Sequence, residues 1–512
     1  MLRKLLSLLH NKVFIIAVLI IIQLGIFFGL VIKLSEYFVF IYVLLIALSF
    51  CMSIYVINKN DNPTYKIAWV LLIMSLSVFG GLIYLLFGGQ KVPKELRKRD
   101  SDAIEDIQGV VWQNTEIMEE LQIEDAVAHK QANYLWKNAC FPIYGHTETT
   151  FFPIGEDKFK AMIPELKKAK KFIFLEYFII APGIMWDSVL DVLIEKVKEG
   201  VEVRVIYDDA GCISTLPSDY YKVLRKLGIK AKVFNPIKPR LAIQMNNRDH
   251  RKILVIDGKV GMTGGINLAD EYINEKVRFG HWKDCSVMIK GEAVWNLTLM
   301  FLQFWNYDEK IKDDVYDYKQ DNASFQDIEN DGYVQPYSDS PTDEENVGEY
   351  THINMINAAT KYVYATTPYL VIDNEMKTAL LLAAKNGIEV RILVPHIPDK
   401  WYVFAVTQSN YLDLIKGGVR IYEYTPGFVH GKTFVVDDKM AVVGTVNMDY
   451  RSYYLHYECG IWFYKSKVVM DVKKDYLETL EKSHEVTLEE CTGIAFPVRI
   501  MRAILNLFSP LM

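Results

Sequence analysis

The sequence predicts an α/β protein in which transmembrane helices at the N-terminus precede two related α/β lobes that share one site. Three observations lead to this prediction. Uncharged apolar runs are concentrated in the first 90 residues, a helix–strand pattern occurs twice, and a short polar motif occurs once in each copy. The chain has 512 residues, 51% of them hydrophobic, which is enough material for several domains.

The first 90 residues contain three apolar runs without a charged residue, at 13–32, 37–57 and 67–87. Each is close to the length that a helix needs to cross a ~30 Å hydrocarbon core. The first run is longer than the apolar core of a signal peptide and is followed at once by another apolar run. We therefore predict a membrane anchor with three segments in a multi-pass protein.

Basic residues on both sides of the anchor bear on its orientation. The cluster after the third run comprises Lys91, Lys94, Arg97, Lys98 and Arg99, and the residues before the first run are Arg3, Lys4 and Lys12. Basic residues favour the cytoplasmic side of a membrane. The larger cluster therefore favours a cytoplasmic C-terminal domain, although the smaller one pulls the other way.

Two regions, 131–312 and 333–493, repeat the same order of elements. The first has predicted helices at 158–170 and 189–198 and strands at 172–180 and 200–207. The second has predicted helices at 346–360 and 377–385 and strands at 362–366 and 387–394. The last strand of each set begins alike, with Gly200-Val-Glu-Val-Arg and Gly387-Ile-Glu-Val-Arg. This alternation predicts βαβ units and a mostly parallel sheet in each lobe.

Three further segments lie outside the repeat. Residues 91–130 form a basic and helical lead-in, and residues 313–332 form an acidic, solvated linker without chemistry of its own. The C-terminal segment 494–512 carries Arg499 and Arg502 among apolar residues. Two interpretations of it stand side by side: an amphipathic segment in the membrane interface, or ordinary packing against the second lobe.

Each lobe carries the same motif of chemically active residues. It consists of a histidine, a lysine two residues later, an aspartate five residues after the lysine, and an asparagine seventeen residues after the histidine. The members are His250, Lys252, Asp257 and Asn267 in the first lobe, and His430, Lys432, Asp437 and Asn447 in the second. A single match arises easily by chance, whereas two copies in register within a repeat indicate a catalytic site.

Strand geometry brings part of each motif together. Residues i and i+2 of a strand share a face, so His250 and Lys252 point the same way. A two-residue turn at Gly258-Lys259 pairs residues whose numbers add to 517, which places Asn267 opposite His250. The equivalent turn in the second lobe places Asn447 opposite His430.

The same geometry gives the motif aspartates a different role. Seven residues of strand span about 23 Å, so Asp257 and Asp437 cannot reach the histidines of their own motifs. We expect them to hold the turn rather than to react, although they complete the catalytic motif. The candidate carboxylate partners of the histidines are instead Asp284 and Glu458.

Two histidines and two lysines suit the transfer of a phosphodiester. One histidine can attack phosphorus and form a phosphohistidine, while the other protonates the departing alcohol. The lysines and asparagines can donate hydrogen bonds to the phosphoryl oxygens. The chemistry requires no metal ion and no cofactor.

Charge and cysteine content exclude other classes of site. After residue 90 the chain carries 51 Lys and Arg against 61 Asp and Glu. A net charge near −10 argues against nonspecific binding of nucleic acid. The six cysteines show no CxxC spacing, which fits a reducing compartment and no metal site.

The paired motifs resemble the signature of the phospholipase D superfamily. Within it, Gly264-Gly-Ile-Asn-Leu-Ala-Asp-Glu-Tyr-Ile-Asn274, His281-Trp-Lys-Asp284 and Thr367-Pro-Tyr369 resemble bacterial cardiolipin synthases, as does Asn62-Pro-Thr-Tyr-Lys-Ile-Ala-Trp69 at the start of a membrane segment. The resemblance implies two pseudo-symmetric lobes of phospholipase D type around one active site. It also implies a bacterial cell membrane protein that transfers a phosphatidyl group between two phosphatidylglycerol molecules, giving cardiolipin and glycerol.

By this resemblance His250 is the nucleophile and His430 the general acid and base. The motifs leave the acceptor open, so a phospholipase D, a phosphatidylserine synthase or an enzyme using phosphatidylethanolamine remain alternatives. A catalytically inactive membrane scaffold is a more remote one, because both motifs are intact. The predicted partners are phosphatidylglycerol and membrane lipids, and not nucleic acid. The family commonly has two membrane spans, so the three apolar runs are a departure.

Overall fold

The computed structural model describes residues 21–25, 29, 38–76, 79–88, 97–98, 100–102, 105, 109–237, 246–307, 312–325, 327–343 and 345–511. The chain divides into two compact units. The first, here the anchor unit, comprises residues 1–94, 235–246 and 511. The second, here the main unit, comprises residues 95–234, 247–510 and 512. Each is described by itself.

The anchor unit contains helices α1 (Phe38–Asn58), α2 (Pro63–Ser75) and α3 (Gly80–Phe87). Within the described part of the chain, one helix is long and apolar enough to cross a bilayer, over Val39–Asn58. It corresponds to the predicted segment 37–57. The predicted segment 13–32 lies outside the described residues, apart from 21–25 and 29. The predicted segment 67–87 is not one helix, because α2 ends at Ser75 and α3 begins at Gly80.

Two glycines explain why the third apolar run is broken. A Cβ on Gly80 would lie 2.3 Å from the carbonyl oxygen of Ile73, and one on Gly81 would lie 2.9 Å from the Cα of Ser49. The amide of Gly81 also donates to the hydroxyl of Ser49 at 3.0 Å. Since only glycine leaves room for these approaches, α3 packs against both α2 and α1 instead of continuing α2.

The main unit begins with helices α4 (Thr115–Glu124) and α5 (Ala126–Ala139), followed by the first lobe. The strands of the first lobe are β1 (Thr147–Phe152), β2 (Phe172–Tyr177), β3 (Glu202–Asp208), β4 (Lys230–Phe234), β5 (Arg248–Asp249), β6 (Lys252–Ile256), β7 (Val260–Gly264), β8 (His281–Lys283) and β9 (Ser286–Gly291). Its helices are α6 (Gly155–Lys167), α7 (Ile184–Lys198), α8 (Asp209–Cys212), α9 (Tyr220–Lys226) and α10 (Val294–Asn306).

The second lobe repeats this order. Its strands are β10 (Tyr333–Asp339), β11 (Tyr362–Thr366), β12 (Leu370–Val371), β13 (Glu389–Pro395), β14 (Arg420–Tyr424), β15 (Gly427–Val429), β16 (Thr433–Val436), β17 (Met440–Gly444), β18 (Met448–Asp449), β19 (His456–Tyr464) and β20 (Ser483–Glu485). Its helices are α11 (Val347–Ala358), α12 (Asn374–Lys385), α13 (Trp401–Ser409), α14 (Tyr411–Lys416), α15 (Tyr450–Tyr454), α16 (Lys467–Leu480), α17 (Leu488–Thr492) and α18 (Phe496–Leu507).

The two main sheets have matching strand orders, β1-β9-β7-β6-β2-β3-β4 and β10-β19-β17-β16-β11-β13-β14-β20. This match confirms two pseudo-symmetric lobes. Along the strand order of each sheet, the parallel pairs are those of the βαβ half: β2, β3 and β4 in the first lobe, and β11, β13 and β14 in the second. The prediction of a mostly parallel sheet is wrong, because the motif hairpin and the strands beyond it pair antiparallel.

The motif hairpins differ by one residue from the predicted register. Ile256 pairs with Val260, and Val436 pairs with Met440, so each turn contains three residues rather than two. The turn of the first lobe is left-handed at Asp257, with φ of 52°, and at Gly258, with φ of 63°. Continued to the histidines, this register leads from His250 to Ile266 and from His430 to Val446. It therefore contradicts the predicted positions of Asn267 and Asn447 opposite the histidines.

The segments before and between the lobes are packed rather than solvated. Helix α5 continues past residue 130, and the side chain of Gln335 on β10 donates to the carbonyl of Ala132 at 3.0 Å. In the acidic connector, Asp313 forms an ion pair with the buried Arg204. The ring of Tyr318 meets that of Phe172 edge-on at 5.1 Å. The connector is therefore part of the first lobe's surface, because its tyrosine covers the edge of that lobe's core.

One apolar core runs through both lobes. It contains side chains of β6 and β9 from the first lobe together with side chains of β16, β17 and β19 from the second. The hydroxyl of Thr263 on β7 lies 3.3 Å from the thiol of Cys459 on β19. Because the sheets meet along their motif strands, the two motifs face each other.

Candidate active site

Short strands that cross between the lobes bring each motif histidine into the site. Strand β5, just before His250, pairs with the start of β19 in the second lobe. Strand β15, just before His430, pairs with β8 in the first lobe. The amide of His250 donates to the carbonyl of Tyr457 at 2.9 Å, and that of His430 to the carbonyl of Lys283 at 2.6 Å. Each histidine is thus fixed by the backbone of the opposite lobe.

The carboxylate partners of the histidines also come from the opposite lobe. Nδ1 of His250 lies 3.0 Å from both carboxylate oxygens of Glu458, and Nδ1 of His430 lies 2.6 Å from Oδ2 of Asp284. Both carboxylates are fully buried. We call these pairs the crossed dyads. Since Nδ1 of each ring faces a carboxylate, Nε2 is the nitrogen left for chemistry.

The two carboxylates are held in different ways. Glu458 accepts a hydrogen bond from the hydroxyl of Ser452 at 2.7 Å and another from the hydroxyl of Thr445. Its burial raises the pKa of the carboxyl to about 7, against the opposing effect of Lys252. Asp284 accepts from the amide of Cys285 at 2.7 Å. Both carboxylates therefore have a defined orientation before any substrate binds.

The motif lysines lie beside the histidines. Lys252 donates to the carbonyl of His250, and Lys432 to the carbonyl of His430. Burial lowers the pKa of Lys252 to about 7 and also lowers that of Lys432. A buried ammonium favours a bound anion because the anion replaces the solvation that the lysine has lost. The site therefore suits a phosphate group.

The histidines are held in the neutral form when no anion is present. Burial, and then the charge of Lys252, lowers the pKa of His250 well below its usual value. Burial and then Lys432 lower the pKa of His430 to about 4, while Asp284 opposes this shift. A neutral His250 can serve as a nucleophile, and an anionic substrate would favour protonation of His430.

The two asparagines have different surroundings. The side-chain carbonyl of Asn267 accepts from the amide of Ile179 at 3.0 Å, and its amide donates to the hydroxyl of Tyr272 at 2.7 Å. Oδ1 of Asn447 is buried and has no hydrogen-bond partner among the described residues. Asn267 therefore braces the loop beside the site, whereas the Oδ1 of Asn447 is an acceptor left for a hydroxyl of a ligand, and only its Nδ2 amide could donate to a phosphoryl oxygen.

The motif aspartates lie at the far end of the hairpins. The carboxylate of Asp257 accepts from the amides of Lys170, Lys171 and Phe172 at 2.7–2.9 Å. That of Asp437 accepts in the same way from the amides of residues 360–362. The structure does not bring either aspartate to the histidines. Their contacts tie the hairpin turn to the start of the neighbouring strand.

Two residues beside the crossed dyads were not among the site residues predicted from the sequence. His456 and Trp282 occupy equivalent positions, each two residues before the carboxylate of a crossed dyad. The ring of His456 lies 5.5 Å from that of His250, and the ring of Trp282 lies 5.4 Å from that of His430. Aligning the two repeats on Asp284 and Glu458 would have found them.

Lys158 is a further charged residue that sequence reasoning missed. It is fully buried on α6, and its ammonium donates to the carbonyl of Ile266 at 3.2 Å. Burial lowers its pKa to about 7, and the carboxylate of Asp284 opposes that shift. Lys158 therefore lies close enough to affect the dyad of Asp284 and His430.

His250, His456 and Glu458 could together ligate a metal ion, since they offer one ligand atom each within 4.8 Å of one another. Burial, and then the positive charges of Arg451, Lys252 and Arg248, keep the pKa of His456 well below its usual value. These cations oppose the binding of a second positive charge. The surroundings therefore suit an anion better than a metal ion.

Comparison with known families agrees with this geometry. A family profile described as "Cardiolipin synthase, PLD-like domain" matches residues 162–292 and 352–480. One described as "Phospholipase_D-nuclease N-terminal" matches residues 47–89. The fold is similar to that of phosphatidylserine synthase from Haemophilus influenzae, with a TM-score of 0.56 and 16% identity over 75% of this chain and 99% of the other.

Proteins of known sequence are similar over most of the chain. An uncharacterised protein of Streptococcus mutans is 45% identical, with 90% of this chain and 99% of the relative covered. A cardiolipin synthase of Alkalihalophilus pseudofirmus is 35% identical, and one of Halalkalibacterium halodurans is 33% identical, each over 90% of this chain and 92% of the relative. The chain therefore belongs to the cardiolipin synthase family of the phospholipase D superfamily, a family of membrane-associated phosphatidyltransferases.

Proposed function

We propose that the protein is a cardiolipin synthase, which transfers a phosphatidyl group reversibly from one phosphatidylglycerol to another and releases glycerol. The observation that carries this proposal is the pair of crossed dyads. They hold two imidazoles through Nδ1, both neutral when no anion is bound, next to two buried lysines. The relatives named cardiolipin synthase support the choice of lipid substrate.

In the first half-reaction Nε2 of His250 attacks phosphorus, and the bond from phosphorus to the glycerol oxygen breaks. His430 enters protonated and gives its Nε2 proton to the departing oxygen, so that free glycerol leaves. The product is a phosphatidyl group bound covalently to His250. Lys252, Lys432 and Asn447 would donate to the phosphoryl oxygens as charge moves onto them.

In the second half-reaction a hydroxyl of another phosphatidylglycerol loses its proton to Nε2 of His430. The oxygen attacks phosphorus, and the bond from phosphorus to His250 breaks. Cardiolipin leaves, His250 is neutral again, and His430 is protonated as at the start. Each half-reaction exchanges one phosphodiester or phosphohistidine bond for another without coupling to the hydrolysis of a second compound. The two steps can therefore run in both directions.

We propose a bacterial cell membrane location in which the chain crosses the bilayer more than once and the residues after the anchor face the cytoplasm. The apolar runs support the first part, and the basic residues at 91–99 support the orientation. The cysteine content agrees with a reducing compartment. Reaction of an engineered cysteine at Arg97 with an impermeant reagent in intact cells would contradict this orientation. In the proposed reaction the partners are membrane lipids, with no role for nucleic acid.

The test is lipid analysis of a cardiolipin-deficient bacterial host that expresses the intact chain, His250→Ala or His430→Ala. We expect cardiolipin only from the intact chain. Phosphatidylserine, or a product made from phosphatidylethanolamine, would point to a different acceptor, and phosphatidic acid would point to hydrolysis. Activity in both variants would contradict the mechanism. When the covalent intermediate is trapped with labelled phosphatidylglycerol, the label should be attached to His250. Label on His430 would mean that His430 is the nucleophile and His250 the general acid and base.

A further inference from the structure

The C-terminal helix α18 leaves an apolar stripe unpaired on the surface of the second lobe. Phe496, Ile500 and Ile504 follow one another at intervals of four residues, which places them on one side of the helix. Their side chains are 71%, 44% and 54% exposed. Exposed apolar residues in a row are rare on the surface of a soluble protein and mark an interaction surface.

The opposite side of α18 attaches the helix to the lobe. Leu505 packs on a cluster formed by Val371, Val406 and Tyr450, and Arg502 donates to the side chain of Gln408 on α13. The stripe is therefore held outward by ordinary packing on the other side. The interpretation as packing against the second lobe therefore applies to this face of the helix, and the membrane-interface interpretation concerns the exposed face.

Helix α13 extends the apolar surface. Trp401 and Tyr402 in its first turn are 65% and 38% exposed, and α13 packs against α18. Tryptophan and tyrosine are the residues that membrane proteins place at the boundary between lipid and water. We call five exposed side chains of α13 and α18, namely Trp401, Tyr402, Phe496, Ile500 and Ile504, the apolar rim.

The charges on these helices select an anionic partner. The charged residues of α18 are Arg499 and Arg502. Lys400, directly before α13, lies 3.7 Å from the carboxylate of Asp399, so the unbalanced positive charge comes from α18. Neither α13 nor α18 contains an acidic residue. A helix with an apolar stripe and arginines but no carboxylates binds the surface of a bilayer that contains anionic lipid.

The helices that carry the apolar rim pack beside the segment that follows Asn447. Helix α13 packs on β12, and β12 pairs with β18 through Leu370 and Met448. Met448 is the residue directly after Asn447. A surface in this position would meet the bilayer where a lipid has to enter.

We propose that the apolar rim docks on the anionic bilayer and holds the site at the level of the lipid headgroups. The proposal rests on the proposed function for the identity of the lipid. An anchor that already tethers the chain to the membrane raises the effective concentration of the bilayer, so weak docking by a short helix is sufficient. The apolar rim then controls access of bilayer lipid and not the chemical step.

The first experiment measures contact with the bilayer directly. The full chain is reconstituted into phosphatidylglycerol vesicles whose acyl chains carry bromine, which quenches tryptophan fluorescence. Trp401→Phe should remove a quenched component of the emission. Trp112→Phe is the control, because Trp112 is 75% exposed but lies far along the chain from the apolar rim. Equal quenching of the intact chain and Trp401→Phe would overturn the proposal.

The second experiment separates access from chemistry. Cardiolipin formation is measured with bilayer phosphatidylglycerol and with a short-chain, monomeric phosphatidylglycerol for the double variant Phe496→Ser, Ile500→Ser. The control is Ile123→Ser, at a residue 88% exposed in the lead-in. We expect the rate of cardiolipin formation by the double variant to fall about tenfold with bilayer substrate, which corresponds to ~1.4 kcal/mol. With monomeric substrate the rate should fall less than about twofold, which corresponds to less than ~0.5 kcal/mol.

Equal losses on both substrates, or no loss on either, would overturn the proposal. So would a change of oligomeric state in the double variant, which would mean that a second copy of the chain covers the apolar rim. If the intact chain makes no cardiolipin, the proposed function fails, but the quenching experiment still tests the docking surface.

Discussion

Replacement of Glu458 by glutamine should lower activity and raise stability at pH 8. Glutamine keeps the size of the side chain and removes its charge. In the intact protein the charged carboxylate of Glu458 is fully buried and accepts a hydrogen bond from Nδ1 of His250 at 3.0 Å. A buried carboxylate is therefore useful to the reaction and costly to the fold.

The cost follows from the pKa of the carboxyl. Burial raises it from 4.5 to about 7, so the folded protein keeps a proton that the unfolded chain releases between these two values. The free energy of unfolding therefore falls as the pH rises from 4.5 through 7 and stays lower above 7. At ~1.4 kcal/mol for each tenfold change in proton affinity, the ionised form costs about 3 kcal/mol.

Glutamine avoids this cost but loses one acceptor for the hydroxyls of Ser452 and Thr445, which is worth about 1 kcal/mol. We therefore expect Glu458→Gln to be about 2 kcal/mol more stable than the intact protein at pH 8. The loss of a charged acceptor weakens the hydrogen bond of His250 by about 1.5–3 kcal/mol. The turnover number should fall by roughly 10- to 150-fold, the ratio that these free energies give.

The assay is thermal unfolding of the detergent-solubilised protein at pH 5 and pH 8, together with the rate of cardiolipin formation. The melting temperature of Glu458→Gln should exceed that of the intact protein at pH 8 but not at pH 5. The exposed residue Glu119 supplies the control, since Glu119→Gln should change neither quantity. A variant less stable than the intact protein at pH 8, or one of unchanged turnover, would refute the reasoning.

Three further predictions concern stability. Asp437→Ala removes the acceptor of three backbone amides and should lower the free energy of unfolding by about 3 kcal/mol, measured by thermal unfolding, with the pH optimum unchanged. Lys158→Met should raise the melting temperature at pH 7 and raise it less at pH 10. The pKa of Lys158 is lowered from 10.5 to about 7, so the charge costs stability only as the pH falls below 10.5. Gly81→Val should reduce the yield of folded chain in membranes, because its side chain would meet the backbone of Ser49; wild-type yield would contradict this packing.

The sequence was sufficient to predict the two lobes and the residues that face each other in the site. The reason is that the fold repeats: His250 and His430 have equivalent neighbours, so two independent copies of one pattern support the same interpretation. The candidate carboxylates Asp284 and Glu458 were also visible, since each follows the motif of its own lobe in the chain. Which carboxylate serves which histidine was not visible, since that depends on how the lobes dock.

Two sequence predictions, the hairpin register and the single helix at 67–87, were wrong because each missed a change of chain direction. The hairpin register was wrong by one residue because Asp257 and Gly258 both adopt left-handed backbone, and Lys259 then adds a third residue to the turn. The apolar run 67–87 was taken as one helix because hydropathy does not record how closely two helices approach. The pair Gly80-Gly81 was the available signal, since adjacent glycines inside an apolar helix have a packing reason or end it.

The crossed dyads explain why the two lobes form one catalyst. Each histidine is hydrogen-bonded through its backbone and through its ring to the opposite lobe, at Tyr457 and Glu458 for His250. A movement of one lobe against the other would therefore break both dyads at once and could not leave one half of the site intact. The reaction needs this coupling, because the nucleophile and the acid have to keep a constant separation through two half-reactions. Strand pairing fixes that separation more firmly than side-chain contacts across an interface could, because the backbone of each motif is itself part of the other lobe.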